Sequence, residues 1–224
     1  MTYALKFTNA EGVTSAQGFA WPLPRGSRPG KWVKAEGELE VCVNGIHAVG
    51  FDGATEWLNA RCFVIELGGD VIYDENERKY VARRGRLVRE VTSWDERAQR
   101  LFAADCAAHV LPIFEKAYPN DKRPREAINA ARAYARNPSE ANRDRRAAAW
   151  NAAWNAAGAA TGAAAGAAAW AAARDATGAA ARAAARDAAW DATGAAAWDA
   201  TWAERAWQAT RLRRLYIDAP EVSA

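Results

Sequence analysis

Four side chains in this sequence have the chemistry to hold a metal together. Cys42 and His47 face each other across an expected turn, and Cys106 and His109 lie three apart on one face of an expected helix. Thiolate and imidazole are the ligands of tetrahedral structural zinc, so two halves brought together would supply a full set. The spacing is looser than that of a zinc finger, and Cys and a single His also suit buried, hydrogen-bonded core positions. These four are therefore read as structural, and no metal and no cofactor is assigned. Two groups of cations come next: Arg78, Lys79, Arg83, Arg84, Arg86 and Arg89, then Arg211, Arg213 and Arg214. Such groups can contact nucleic acid or an acidic protein. Asp74, Glu75, Glu77 and Glu90 lie among the first group, and cations at a helix end suit its dipole, so a solvated edge and a helix terminus explain them first.

The tryptophans form a third constellation. From Trp150 to Thr201 the sequence is an unbroken four-residue repeat whose first position is only Trp, Gly or Arg and whose third is always Ala. TGG, GGG and CGG encode those three residues, so the tract reads as a tandem repeat of a twelve-base unit in a GC-rich gene, in keeping with 24 Arg against 6 Lys. Thr161-Gly162, Thr177-Gly178 and Thr193-Gly194 add a second period of sixteen residues. Exposed, a Trp and Arg ladder would be a contact surface for a protein or a stacking platform for bases. Buried, it is the bulky filler of an Ala-rich bundle, and a chain exposing so many indoles would not stay soluble. Trp150, Trp154, Trp170, Trp190, Trp198, Trp202 and Trp207 are thus expected to supply most of the second-half core, with a few at one rim left for a partner. The expected contact residues are Arg83, Arg84, Arg86, Trp198, Trp202, Arg211, Arg213 and Arg214.

The elements that must position these groups can be read in order. Tyr3 to Thr8 alternates as a strand, and Val13 to Trp21 is expected to pair with it across a turn at Asn9 to Gly12. Leu39 to Val43 and Ile46 to Val49 flank Asn44-Gly45, a hairpin signal. Asp52 is expected to cap a short helix from Ala54 to Ala60 with Trp57 and Leu58 inward. Arg61 to Leu67 reads as the central strand, followed by Val71 to Tyr73 and then Lys79 to Arg83 or Arg86 to Val91, around a charged turn at Asp74 to Arg78. Ser93 is expected to cap a helix that Pro112 kinks or restarts. A helix after Arg123-Pro124 puts Ala127, Ile128, Ala131 and Tyr134 on one face and stops at Asn137-Pro138; Ser139 caps the next, which enters the repeat. Four residues advance about 400° in a helix, so a straight helix would wind its Trp residues round its surface at about 40° per repeat. Several shorter helices in a bundle keep them on one core.

The fold class that follows is α+β: a small, mostly antiparallel β-rich domain at 1–92, then a helical Ala/Trp/Gly-rich domain at 93–224 with the repeat at 150–201. The net charge of +3 is small and mixed, which argues against a dedicated phosphate surface. Cys42, Cys62 and Cys106 are an odd, scattered set, as in a reduced cytoplasmic protein. The 27 uncharged residues between Arg146 and Arg174 contain no Leu, Ile, Val or Phe, too weakly apolar for a membrane span. The Gly and Ala helix faces offer a surface for self-association.

Phe102-Ala-Ala-Asp105-Cys106-Ala-Ala-His109-Val-Leu-Pro112-Ile-Phe114-Glu115, Asp121-Lys-Arg123-Pro124-Arg125-Glu-Ala127-Ile128 and Ala131-Arg132-Ala-Tyr134 resemble the immunity proteins found beside bacterial toxin systems, over Leu101 to about Ala157. The first half, through Phe19-Ala-Trp21-Pro22, Cys42-Val-Asn-Gly45-Ile-His47 and Val64-Ile-Glu66-Leu-Gly-Gly-Asp70, resembles an uncharacterised domain of actinobacteria and their phages. Together the resemblances imply a non-enzymatic binding protein, of immunity or phage counter-defence type, that neutralises a protein partner, a toxin or a defence effector. Two alternatives stay open. His47 on a strand with the later acidic Glu66 resembles the His and Glu of ADP-ribosyltransferases, which would imply a nucleotide-transfer enzyme, although no Gly-rich phosphate cradle accompanies them. The Arg clusters would alternatively bind nucleic acid.

Overall fold

Residues 61–67 put Cys, Phe, Val and Ile in one run, as a strand buried on both faces requires. A computed structural model of the chain, which describes residues 1–14, 18–159 and 197–222, places them in the strand that organises the first half. The strands are β1 (Thr2–Thr8), β2 (Val33–Lys34), β3 (Ile46–Val49), β4 (Arg61–Asp74) and β5 (Lys79–Glu90). The helices are α1 (Phe51–Ala54), α2 (Glu96–Ala117), α3 (Arg123–Arg136), α4 (Glu140–Ala159) and α5 (Ala197–Leu215). The chain divides into two compact units, Met1–Asp95 with Leu212–Ala224, and Glu96–Arg211. The architecture is α+β, antiparallel throughout its sheet.

The sheet closes on itself. β1 pairs with β4 from Thr2↔Leu67 to Thr8↔Arg61, β4 with β5 from Phe63↔Glu90 to Asp74↔Lys79, and β5 with β3 from Ile46↔Ala82 to Val49↔Lys79. Leu5↔Val49 joins β3 back to β1, and β2 adds to β5 at Val33↔Gly85. The barrel-like ring thus leaves no free edge among its four main strands. Phe63, Ile65 and Leu67 point every second residue into one cluster with Ala4, Trp21, Ile46, Ala48, Ala82 and Leu87. Cys62, Val64 and Glu66 are buried on the opposite face. The C-terminal segment contributes buried Leu212, Tyr216, Ile217, Ala219 and Val222 to this unit. It is tied down where Arg89 binds the Glu221 carboxylate at 2.8 and 3.0 Å and the Asp218 N–H donates to Ser93 Oγ.

Several local expectations are corrected here. Among the described residues, Val13 to Trp21 makes no pairing with β1. The Asn9 side chain accepts the Glu11 and Val13 N–H groups, which folds the segment back so that Val13 meets Ala20 instead. Asn44-Gly45 makes no hairpin, because residues 41–43 form a turn closed by Glu40 and Asn44, and the Asn44 amide donates to the Glu36 and Glu38 carbonyls. Gly45 sits at φ 139°, where an added Cβ would lie 2.2 Å from Val81. The short helix starts earlier, at Phe51, with Gly50 and not Asp52 at its cap, and Trp57 is exposed while Leu58 is buried. The segments 61–67 and 71–73 are one long strand, irregular at Gly68/Val71, and 79–90 is another. Ser93 is occupied by Asp218, so α2 begins at Glu96. α2 runs on through Pro112, since Phe102, Cys106, Val110 and Phe114 bury one continuous face across it.

The later helix signals hold. α3 carries Pro124 in its first turn and ends at Asn137, and the Asn142 N–H donates to Ser139 Oγ at 3.3 Å. α4 lays Ala149, Trp150 and Ala153 against Ala127 of α3. The Arg100 and Arg146 guanidiniums cover the Tyr134 ring. The expected division of the repeat into several helices falls on 160–196, outside the described residues, as do Trp170 and Trp190. Of the two places expected for Trp202, the core is not the one it takes. It is 44% exposed, because α5 buries the seam Glu204, Gln208 and Leu212, and Trp202 projects from the other side of the helix.

One half-buried charge stands out in the barrel. The Lys6 ammonium donates to the His47 carbonyl at 2.5 Å and lies 5.3 Å from the centre of the Trp21 ring. Burial lowers its pKa from 10.5 to about 8. The folded-state value lies below the unfolded one, so the native state carries the full penalty below about pH 8 and is relieved of it as the pH rises towards 10.5. Lys6→Met is therefore expected to stabilise the first unit by about 2–3 kcal/mol at neutral pH. Urea denaturation at neutral and strongly alkaline pH checks this, since the gain should fade at the alkaline end.

Candidate functional site

α2 places two polar residues, Asp105 and His109, one turn apart on a face otherwise buried by Phe102 and Cys106. α5 matches them with Glu204 and Gln208 at the same spacing, followed by Arg211. Asp105 is buried, and its carboxylate receives Arg132 Nη2 at 2.7 Å from α3 and Arg211 Nε and Nη2 at 2.9 and 2.7 Å from α5. One turn along, His109 Nδ1 lies 2.5 Å from the buried Glu204 carboxylate, whose other oxygen accepts the Gln208 amide at 2.8 Å. The His109 ring stacks on Trp207, centroids 3.8 Å apart and planes 4° from parallel, and the Arg211 guanidinium lies 6.0 Å from the Trp207 ring. Two acids and two guanidiniums balance, which is the condition under which ions can be buried at modest cost.

The arrangement holds shape. Asp105 accepts from two guanidiniums, and one His109 ring nitrogen is committed to Glu204. Cys106 beside them is fully buried, and burial, then the carboxylates of Glu204 and Asp105, raise its thiol pKa well above the usual range. What reaches the surface is the edge of the network: the His109 and Arg211 side chains, about 40% exposed, and half-buried Trp207. Aromatic and Arg side chains held rigid from behind are the composition of protein-binding hot spots.

The residues singled out in the sequence are distributed as follows. Arg83 donates to the Ala35 and Gly37 carbonyls. Arg86 binds the buried Glu66 carboxylate at 2.7 Å, and it flanks the Trp32 ring together with exposed Arg84. Arg213 lies over Phe51 and Arg214 is exposed, both in the first unit. Trp202, with Arg205 over its ring, and Arg211 belong to the second; the Trp198 side chain lies outside the described residues. The Cys42 N–H donates to His47 Nε2 at 3.0 Å, and Lys79 Nζ lies 2.9 Å from Cys42 Sγ. Among the described residues no cluster of three or more His, Cys, Asp or Glu side chains is placed to hold a metal. Glu66 binds Arg86, and His47 Nε2 accepts the Cys42 N–H. The sequence reading missed Arg132, Glu204 and Gln208; the signal was the recurrence of polar residues four apart on helices whose neighbours are buried.

Fold and site together define an α+β protein whose helical unit is pinned by a buried, charge-balanced network with an aromatic and arginine edge. It belongs to the Imm-5 like putative immunity protein family, whose model matches residues 90–215, a span that holds every member of that network. No curated protein and no solved structure matches the chain. Among the described residues no helix is long and apolar enough to cross a membrane.

Proposed function

We propose that the protein is a non-enzymatic immunity protein that binds a protein toxin and blocks it, and that the His109, Trp207 and Arg211 edge of the helical unit makes the contact. The supporting observation is that the family match spans the helices that build this edge. Trp207 is backed by the His109 ring and Arg211 by the Asp105 carboxylate, so little side-chain freedom is lost on binding. The phage-type motifs of the first half favour a setting of conflict between bacteria or between phage and host, with a defence effector as the alternative target.

The test is co-expression with candidate bacterial toxin domains. The full chain should restore growth and co-purify with one toxin at equal stoichiometry. Trp207→Ala should weaken the complex by about 2 kcal/mol, roughly thirtyfold, read by calorimetry, and Trp202→Ala should weaken it far less. Unrelieved toxicity with the full chain expressed and folded counts against the immunity reading; equal effects of the two Trp substitutions count against this edge.

A further inference from the structure

The first unit holds a cavity of about 290 Å3 whose walls include Lys6, Phe19, Trp21, Val33, Ile46 and His47. That is the lower end of the ~300–1,000 Å3 range of small-molecule sites. Six of the thirteen lining residues are aromatic or aliphatic, and the rest are polar, charged or glycine. Lys6 makes no ion pair with any acid among the described residues. Its partners are one carbonyl, that of His47, and the face of Trp21, which replace only part of an ammonium's hydration. The Trp21 indole N–H is also buried with no acceptor, a cost a folded chain rarely leaves in place. His47 adds no second charge. Burial, then the fields of Lys6 and Lys79, lower its pKa. Glu36 and Lys34, both exposed, stand among the cavity's residues as an opposed pair of charges.

We propose that this cavity binds a small carboxylate carrying an apolar or aromatic body, with the Lys6 ammonium as its counter-ion and the Trp21 N–H as a hydrogen-bond donor. One ammonium and one N–H match the two oxygens of a carboxylate. A phosphate brings more charge and a third oxygen, which would have to be met by the exposed Lys34. The walls of Phe19, Val33 and Ile46 take the apolar part. The site belongs to the first unit, so it is independent of the toxin contact proposed for the second. It also explains why a charge that destabilises the barrel occupies its interior.

Phenylacetate is the probe, titrated calorimetrically into the full chain, with phenylacetamide and inorganic phosphate as comparisons. One phenylacetate should bind per chain, and the amide should bind at least tenfold more weakly. Lys6→Met should lose at least tenfold in phenylacetate affinity while unfolding at no lower a urea concentration, which separates loss of the site from loss of the fold. Trp21→Phe keeps the wall and removes the N–H, so it should weaken binding about threefold to tenfold. Absence of saturable phenylacetate binding at millimolar concentration, equal binding of the amide, tighter binding of phosphate, or affinity unchanged by both substitutions would each overturn the assignment.

Discussion

Asp105→Ala is expected to destabilise the helical unit by about 3–5 kcal/mol, the cost of removing one partner from a buried ionic network. The carboxylate is 7% exposed and accepts three charge-assisted bonds, one from Arg132 and two from Arg211. Removing it leaves two partly exposed guanidiniums facing each other beside an apolar void. Their mutual repulsion adds to the lost bonds, and Arg211 loses the anchor that holds it beside Trp207. Urea denaturation followed by far-UV circular dichroism measures the effect. A double-mutant cycle with Arg132→Ala should return a coupling of about 1–3 kcal/mol, because the second substitution relieves part of the excess positive charge. A change in the single variant below about 1 kcal/mol would mean that water replaces the carboxylate and that the network does not pin the helices. The same variant should weaken toxin binding, since the edge would lose its backing.

Phe63→Ala is expected to cost the barrel a similar amount, about 3–5 kcal/mol. The ring is fully buried between Trp21, Ile65 and Leu87 in the interior cluster, and the Arg61 guanidinium lies 4.8 Å from its centre. A large-to-small change is mildest where neighbours can move in. Here they are held: position 63 is paired with Lys6 on one side and Glu90 on the other, and a closed ring of strands cannot slide one member inward without breaking its ladders. The cavity therefore persists, which places the loss high in the range. The denaturation midpoint should fall with little change in slope, because the surface exposed on unfolding is nearly the same. Phe63→Leu, which keeps most of the volume, should cost roughly 1 kcal/mol. A Phe63→Ala loss of that same small size would show that the strands do collapse around the gap.

What the sequence by itself determined is what short-range chemistry encodes. The Cys-Phe-Val-Ile run marks β4, Pro124 in the first turn and Asn137-Pro138 at the end bound α3, Ser139 caps α4, and the order of strands before helices sets the α+β class. The motifs from Phe102 to Tyr134 carry the family. Each of these signals acts over a few residues, so a linear reading suffices. Where two local signals competed, the tertiary structure decided. Asn44-Gly45 could close a hairpin, but the Asn44 amide satisfies carbonyls of the preceding loop, and β3 finds its partners in β1 and β5. Pro112 could have broken α2, but a buried face running past it outweighs one missing hydrogen bond. The site lies wholly on the tertiary side. Its bonds join residues 27, 95 and 106 positions apart, and no propensity, cap or period links Asp105 to Arg211 or His109 to Glu204. The same holds for Lys6 and Trp21 in the barrel, whose burial follows from ring closure. Opposite charges far apart in a chain rich in both have many partners to choose from, and only the packing of the elements selects among them.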